Sequence, residues 1–208
     1  MQIAIDGPAG SGKTSLGQAL AESFGCRFVE TGQMYRAVGL AFDRGLTLDE
    51  IEMEVTETGR LIMNGEDVSD LLRSPEIDQA SSKVATLPAV RERLVALQRA
   101  IAEGEDIVMD GRDIGTVVLP DADVKIFLSA SPDERAQRRA ADRDESDVEK
   151  TLSEIMVRDE RDTSRPIAPL NPASDATIID TDRKPLVEVI SEAIRLVKER
   201  LDERCFDG

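Results

Sequence analysis

The chain opens on a short apolar run, Ile3-Ala4-Ile5, that stops at Asp6 and gives way to Gly7-Pro8-Ala9-Gly10-Ser11-Gly12. An unbroken apolar run of this length reads as a strand buried on both faces, and the glycines after it as a loop. From Thr14 the spacing becomes helical, with Leu16, Leu20 and Phe24 on one side and Gly25 as the stop. Phe28-Val29 predicts a second strand, and Thr31-Gly32 opens a helix through Met34, Val38 and Phe42. From Gly45 to Gly104 the rhythm differs. A short apolar piece, Arg60-Leu61-Ile62-Met63, meets a turn at Asn64-Gly65, and helical patterns follow over 74–86 and 88–102. Pro88 suits the first turn of the second helix. Strand spacing returns at Ile107-Val108-Met109-Asp110, at 124–128 and at 176–180. Ser131-Pro132-Asp133-Glu134 is a helix start with cap, proline and acidic first turn, and 186–201 forms a closing amphipathic helix.

These elements predict an α/β fold: a three-layer parallel sheet of about five strands flanked by helices. Residues 1–42 and 105–208 make its core, 43–104 an insert, and the highly charged stretch near 140–165 a short lid. The 208 residues suffice for one well-filled domain with a small insert. Aromatics are only 3% and Trp is absent, so the core must be built from Ala, Val, Ile and Leu. No apolar run reaches the length of a membrane span, and the N-terminus has no basic and apolar leader. A cytoplasmic protein is expected, with no membrane partner. Cys26 and Cys205, far apart in sequence, read as reduced thiols.

Charge changes the picture further. A net charge of −16 argues against a general nucleic-acid footprint, and any nucleotide site must be locally basic. The excess of acidic residues, 42 against 26 basic, suits either a high-salt cytoplasm or, more simply, ordinary solubility. Histidine is absent, which excludes a Ser-His-Asp or Cys-His hydrolase and any histidine-ligated metal.

The loop after the first strand carries the clearest chemistry. Gly7-Pro8-Ala9-Gly10-Ser11-Gly12-Lys13-Thr14 matches G-x-x-x-x-G-K-[ST], the P-loop, in its required setting between strand and helix. Its backbone N–H groups, together with Ser15 at the helix start, would cradle the phosphates of ATP, and Lys13 would reach the β- and γ-phosphates. The Thr14 hydroxyl would hold Mg²⁺. The strand ending at Asp110 resembles a Walker B strand, and Asp110 could hold the same ion; a strand-end aspartate capping a turn explains it equally well. A P-loop alone serves kinases, switches, motors and pumps.

Arginines cluster downstream. Arg36 follows Thr31-Gly32-Gln33-Met34-Tyr35, and Arg112 sits in Asp110-Gly111-Arg112-Asp113. Arg158, Arg161, Asp162 and Arg165 fall at spacings that share one face if the segment is helical. Taken alone, that ladder favours a solvated helix with an Arg158–Asp162 ion pair worth about half a kcal/mol. Arg138, Arg139 and Arg143 are further candidates for ATP, or equally a solvated face.

In these same stretches the chain resembles the bacterial cytidylate kinases, the CMP/dCMP kinases of the nucleoside monophosphate kinase group. The similarity runs nearly end to end. It rests on the P-loop, on Thr31-Gly32-Gln33-Met34-Tyr35-Arg36, and on Asn64-Gly65-Glu66-Asp67-Val68. Ala80-Ser81-Ser82-Lys83-Val84-Ala85 and Pro88-Ala89-Val90-Arg91 add to it. Asp110-Gly111-Arg112-Asp113-Ile114-Gly115-Thr116 is the most distinctive run, and Arg158-Asp159-Glu160-Arg161-Asp162 leads through Arg165 to Ala168-Pro169-Leu170. The resemblance implies a P-loop NTPase fold whose insert binds a nucleoside monophosphate. It implies transfer of the γ-phosphoryl of ATP to CMP or dCMP, with Mg²⁺, by a monomer. Ser82, Arg91 and Asp113 would face cytosine. Thr31, Arg36 and Arg112 would hold the acceptor phosphate, with Tyr35 a further substrate-binding candidate and Arg165 on the acceptor side. Arg158 and Asp162 would reach ribose and phosphates, and Arg161 the transferring phosphoryl. Lys13, Arg112, Arg158, Arg161 and Asp162 are thus the catalytic candidates. Two departures from the family pattern stand out. Glu30 replaces a common aspartate before Thr31, and the stretch between Asp43 and Arg60 is short; neither is expected to touch a predicted contact. Other small-molecule kinases, such as adenylate, shikimate or dephospho-coenzyme A kinases, remain rivals. A nucleotide-dependent switch is a weaker one, because no Asn-Lys-x-Asp motif is present.

Overall fold

A computed structural model describes residues 1–142 and 146–206. The first half runs β1 (Gln2–Asp6), α1 (Lys13–Phe24), β2 (Arg27–Glu30), α2 (Gly32–Asp43), β3 (Met53–Val55), β4 (Leu61–Met63), β5 (Glu66–Asp67), α3 (Pro75–Val84) and α4 (Pro88–Ala102). The second runs β6 (Ile107–Gly111), β7 (Val124–Ser129), α5 (Pro132–Asp142), α6 (Val148–Ser164), β8 (Thr177–Asp180) and α7 (Leu186–Phe206).

Five strands form one parallel sheet in the order β2-β6-β1-β7-β8. Its central strands are apolar because both faces are covered. Period-two alternation sends Ala4, Ile107 and Met109 to one face and Ile3, Ile5 and Val108 to the other. Leu16 and Leu20 of α1 and Val189, Ala193 and Val197 of α7 cover the second face. Met34, Ala37 and Val38 of α2 and Val90 and Leu94 of α4 cover the first. The expected α/β sheet with helices on both faces is the architecture observed.

Residues 43–104 hold a second, antiparallel sheet, β3-β4-β5, followed by α3 and α4. Of its three strands only β4 coincides with an apolar piece of the sequence. β3 is three residues long with an exposed Glu54 at its centre, and β5 is a charged pair whose place is set by the ladder to β4. The apolar side of this segment, including Ile51, Leu61 and Leu72, joins the cluster that contains Val29 and Met109 of the large sheet.

The connection from β6 to β7 contains one π-helical turn, Ile114–Val118, where the N–H groups of Val118 and Leu119 reach back five residues to Asp113 and Ile114. α5 and α6 pack on each other. Their buried apolar residues Ala136, Ala140 and Ile155 belong to neither hydrophobic cluster.

Candidate active site

β1 delivers the chain into the P-loop, and β6 runs beside it with Ile5 opposite Asp110 and Asp6 opposite Gly111. That register sets Asp110 against the start of α1, where Thr14 Oγ1 donates to Asp110 Oδ2 at 2.8 Å. Gly7 adopts φ 150°, and a methyl there would overlap the carbonyl oxygen of Leu128, so only glycine fits. Lys13 is buried and donates from Nζ to Pro8 O at 2.7 Å and to Ser11 Oγ at 3.4 Å. Burial, helped by Arg112, pulls its ammonium well below the usual lysine range. Burial, with the Glu30 carboxylate, pushes Asp110 up to about 6. A hydroxyl and a carboxylate in contact, beside a phosphate loop, suit Mg²⁺, which takes few protein ligands and completes its shell with phosphates and water. No group of three or more acidic, Cys or His residues able to hold a metal occurs among the described residues.

Two cavities meet at this loop. One is lined by Gly10, Ser11, Gly12, Lys13, Thr14 and Ser15 together with Arg138, Arg139, Thr181 and Lys184. Arg138 is held there by Thr181, donating to its carbonyl at 2.7 Å and its Oγ1 at 3.0 Å. Arg143 lies outside the described residues. The other cavity opens on Ala9, Gly10, Lys13 and Thr14 and extends over Thr31, Tyr35, Arg36, Ser82, Arg91, Asp110, Arg112, Asp113, Arg158, Asp162 and Arg165. Gly7 and Pro8 shape the loop from beneath, Pro8 through the carbonyl that Lys13 contacts.

Within this second cavity the side chains form two linked groups. Arg91 donates to Asp113 in a short ion pair and lies over the Tyr35 ring at 5.8 Å from its centroid. Arg165 reaches the other Asp113 oxygen at 3.5 Å. Burial raises the Asp113 carboxyl, with Arg91 and Arg165 pulling the other way, and burial pushes the Tyr35 hydroxyl up to about 12. The second group is cationic. Arg112 Nε donates to Asp162 Oδ2 at 3.0 Å, while Arg158 stands 3.9 Å from the same oxygen. Burial, then the neighbouring Arg112, lowers Arg158 to about 9. Asp162 moves the other way: burial is its largest influence, but the guanidiniums of Arg112, Arg158 and Arg165 outweigh it and hold the carboxyl below the usual range. The solvated ion pair suggested by the ladder spacing is therefore not what forms. Asp162 is buried and its tighter partner, Arg112, is the residue that follows β6.

Three further expectations need correcting. The ladder residues do not all enter one cavity: Arg158, Arg161 and Asp162 lie within about 100° of one another on the helix, but Arg161, at the edge of that arc, lines a neighbouring cleft and donates to Ser82 Oγ at 2.6 Å. Arg165 is off the helix altogether, an extended residue after Ser164. Glu30, expected to touch no predicted contact, accepts from Arg36 at 2.7 Å and lines the cavity. Thr31 spends its hydroxyl proton on Asp110 O at 2.7 Å and so braces β6 as well as facing the cavity.

Sequence reasoning missed Arg135 and Asp78. Arg135 is buried, donates to Ala9 O at 3.2 Å and Asp159 at 2.6 Å, and thereby ties the P-loop to α6. As one more arginine in a charged helix, it carried no distinguishing signal in the sequence. Asp78 gathers arginines from three helices and carried no signal in the sequence.

A parallel sheet with a P-loop after its first strand and an arginine-rich cavity beside it defines a P-loop protein of the small-molecule kinase type. The shikimate kinase from Bacteroides thetaiotaomicron shares this fold, with a TM-score of 0.53 at 17% identity over 97% of this chain and 98% of that one. The family model for cytidylate kinase matches residues 3–199, and the chain belongs to that family. It is 45% identical to the cytidylate kinase of Mycobacterium leprae over 95% of this chain and 96% of that one. It is 46% identical to the cytidylate kinase of Pelotomaculum thermopropionicum, covering 94% and 95% of the two chains.

Proposed function

We propose that this protein transfers the γ-phosphoryl group of ATP to CMP or dCMP, releasing ADP and CDP or dCDP. The observation that carries this reading is the Arg91–Asp113 pair beside Tyr35, in the same cavity as Lys13 and the Thr14–Asp110 contact. Asp113 can accept from the exocyclic amine of cytosine, and Arg91 can donate to its ring acceptors. Uracil presents a carbonyl where cytosine presents the amine, so Asp113 would face an acceptor and be left unpaired.

A nucleoside monophosphate is already largely dianionic at neutral pH, because its second pKa is about 6. Its oxygen attacks without a strong base, which fits a chain with no histidine. The work left for the protein is positioning and charge neutralisation. Lys13 and the P-loop N–H groups hold the donor phosphates. Arg36, Arg112 and Arg158 offset the repulsion between two anionic substrates, and Arg139, on the rim of both cavities, faces donor and acceptor alike. Thr14 and Asp110 would hold Mg²⁺, which supplies charge neutralisation on the donor phosphates when bound. α5 and α6 would exclude water so that it does not take the phosphoryl group. Residues 43–104 would serve as the acceptor-binding insert of a cytoplasmic monomer. No helix among the described residues is long and apolar enough to cross a membrane.

Asp113→Ala tests the base-reading role. The variant should lose activity toward CMP by about a hundredfold or more while ATP affinity holds. A variant that keeps full preference for CMP over UMP would remove Asp113 from this role.

A further inference from the structure

We infer that Asp78 is a positioning residue for phosphoryl transfer, a single carboxylate that fixes Arg36, Arg139 and Arg158 and latches α5 and α6 onto α3. Asp78 lies in the first turns of α3, where Ser74 caps the helix by accepting from Ile77 N at 3.2 Å. Its Oδ1 accepts from Arg36 Nε at 3.0 Å and stands 3.8 Å from Arg158 Nη1. Its Oδ2 accepts from Arg139 Nη2 at 2.5 Å. The three guanidiniums come from α2, α5 and α6, so one carboxylate joins four helices. All four side chains are between 13% and 22% exposed, sheltered enough for the pairs to outweigh ordinary surface ion pairs.

The placement is specific. Arg36, Arg139 and Arg158 line the cavity, whereas Asp78 sits behind them in the adjoining cleft with Arg161 and Ser82. It holds the arginines from the far side of the cavity wall that they line. The attachment also carries more weight than a single contact elsewhere would. The buried apolar residues of α5 and α6 belong to neither hydrophobic cluster, so polar bonds such as Asp78–Arg139 and Arg161–Ser82 do much of the holding. Arg158 gains the most, because burial and Arg112 oppose its charge while Asp162 and Asp78 support it. Glu30, which also faces Arg36, anchors only that arginine and bridges to neither α5 nor α6.

This inference rests on the proposed acceptor site, and the two fail differently. A wild-type chain that does not phosphorylate CMP defeats the reading of the site. An active wild type with an indifferent Asp78 defeats this inference alone. The test is steady-state kinetics on the full chain for Asp78→Asn, Asp78→Glu, Arg139→Gln and the Asp78→Asn/Arg139→Gln double variant, with circular dichroism to confirm folding. Asp78→Asn should lower kcat about tenfold or more and raise KM for CMP, with KM for ATP changed less than about twofold. Asp78→Glu should recover most of the loss, and the double variant should lose less than the two single losses combined, since both remove the Asp78–Arg139 bond. Should Asp78→Asn not fold, Asp78→Glu and Arg139→Gln carry the comparison: Arg139→Gln should lower kcat while Asp78→Glu stays near wild type. A folded Asp78→Asn with wild-type kcat and only a lower melting temperature would overturn the inference. So would a lower KM for CMP, which would make Asp78 a competitor of the phosphate, or losses that simply add.

Discussion

Asp6 ends β1 with its carboxylate turned inward, accepting from the N–H groups of Ile114 and Gly115, each at 2.7 Å. It therefore ties the strand that feeds the P-loop to the π-helical turn that follows Asp113. Burial pushes Asp6 up from 3.8 to about 6, although the two N–H groups pull it down. Between those values the folded chain binds more protons than the unfolded one, so this group's contribution to stability falls as pH rises through that window and is constant above it. The full difference is on the order of 3 kcal/mol. Urea unfolding of wild type and Asp6→Asn at several pH values isolates it. The stability of wild type relative to the variant should decline from pH 4 to pH 6 and then level off; a difference that rises over that range contradicts the assignment. The residue-level chemistry of the P-loop was legible from sequence because its spacing is fixed by the backbone. Asp6, Asp78 and Arg135 were not, because each acts across the tertiary structure on groups distant in the chain.

At the scale of elements, the site depends on how closely α2 and α3 pack. Gly39 sits at that crossing, where an added Cβ would stand 2.9 Å from Ala80 Cβ and 3.2 Å from Ser81 N. Neither neighbour can yield as a flexible side-chain end would, so Gly39→Val must push α3 outward. The variant should lose about 1–3 kcal/mol in urea unfolding. Its KM for CMP should rise, because α3 carries Asp78 and Ser82. Unchanged KM in a destabilised variant would show that α3 does not set the acceptor site. All five strands of the large sheet and most of the helices were readable from apolar spacing and capping signals; α6, in a charged stretch with few large apolar residues, was not. The small sheet was not: β3 and β5 are too short and too charged to show a period, and pairing with β4 alone decides them. The facing of Arg161 was missed for a related reason. Spacings of three and four mark neighbours on a helix but do not say which of two adjoining cavities each side chain enters.

For the whole molecule, one hydrophobic cluster spans the large sheet and residues 43–104, uniting Val29, Val38 and Met109 with Ile51, Leu61 and Leu94. A segment that shares its core with the sheet cannot unfold alone without exposing that sheet. Urea unfolding followed by far-UV circular dichroism and by hydrogen exchange in 43–104 should give coincident transitions; a separate early loss of protection there would mark an independent unit. A net charge of −16 repels anions at long range, so on the proposed reading nucleotide binding falls to the sheltered arginines. On that reading the arginines and Asp113 together select the acceptor. Rates of ADP release with ATP and matched concentrations of CMP, dCMP, UMP, AMP and shikimate test it directly. CMP and dCMP should turn over, with kcat/KM for the other acceptors lower by about a hundredfold or more. Faster turnover of AMP or shikimate, or ATP hydrolysis indifferent to every acceptor, would contradict it.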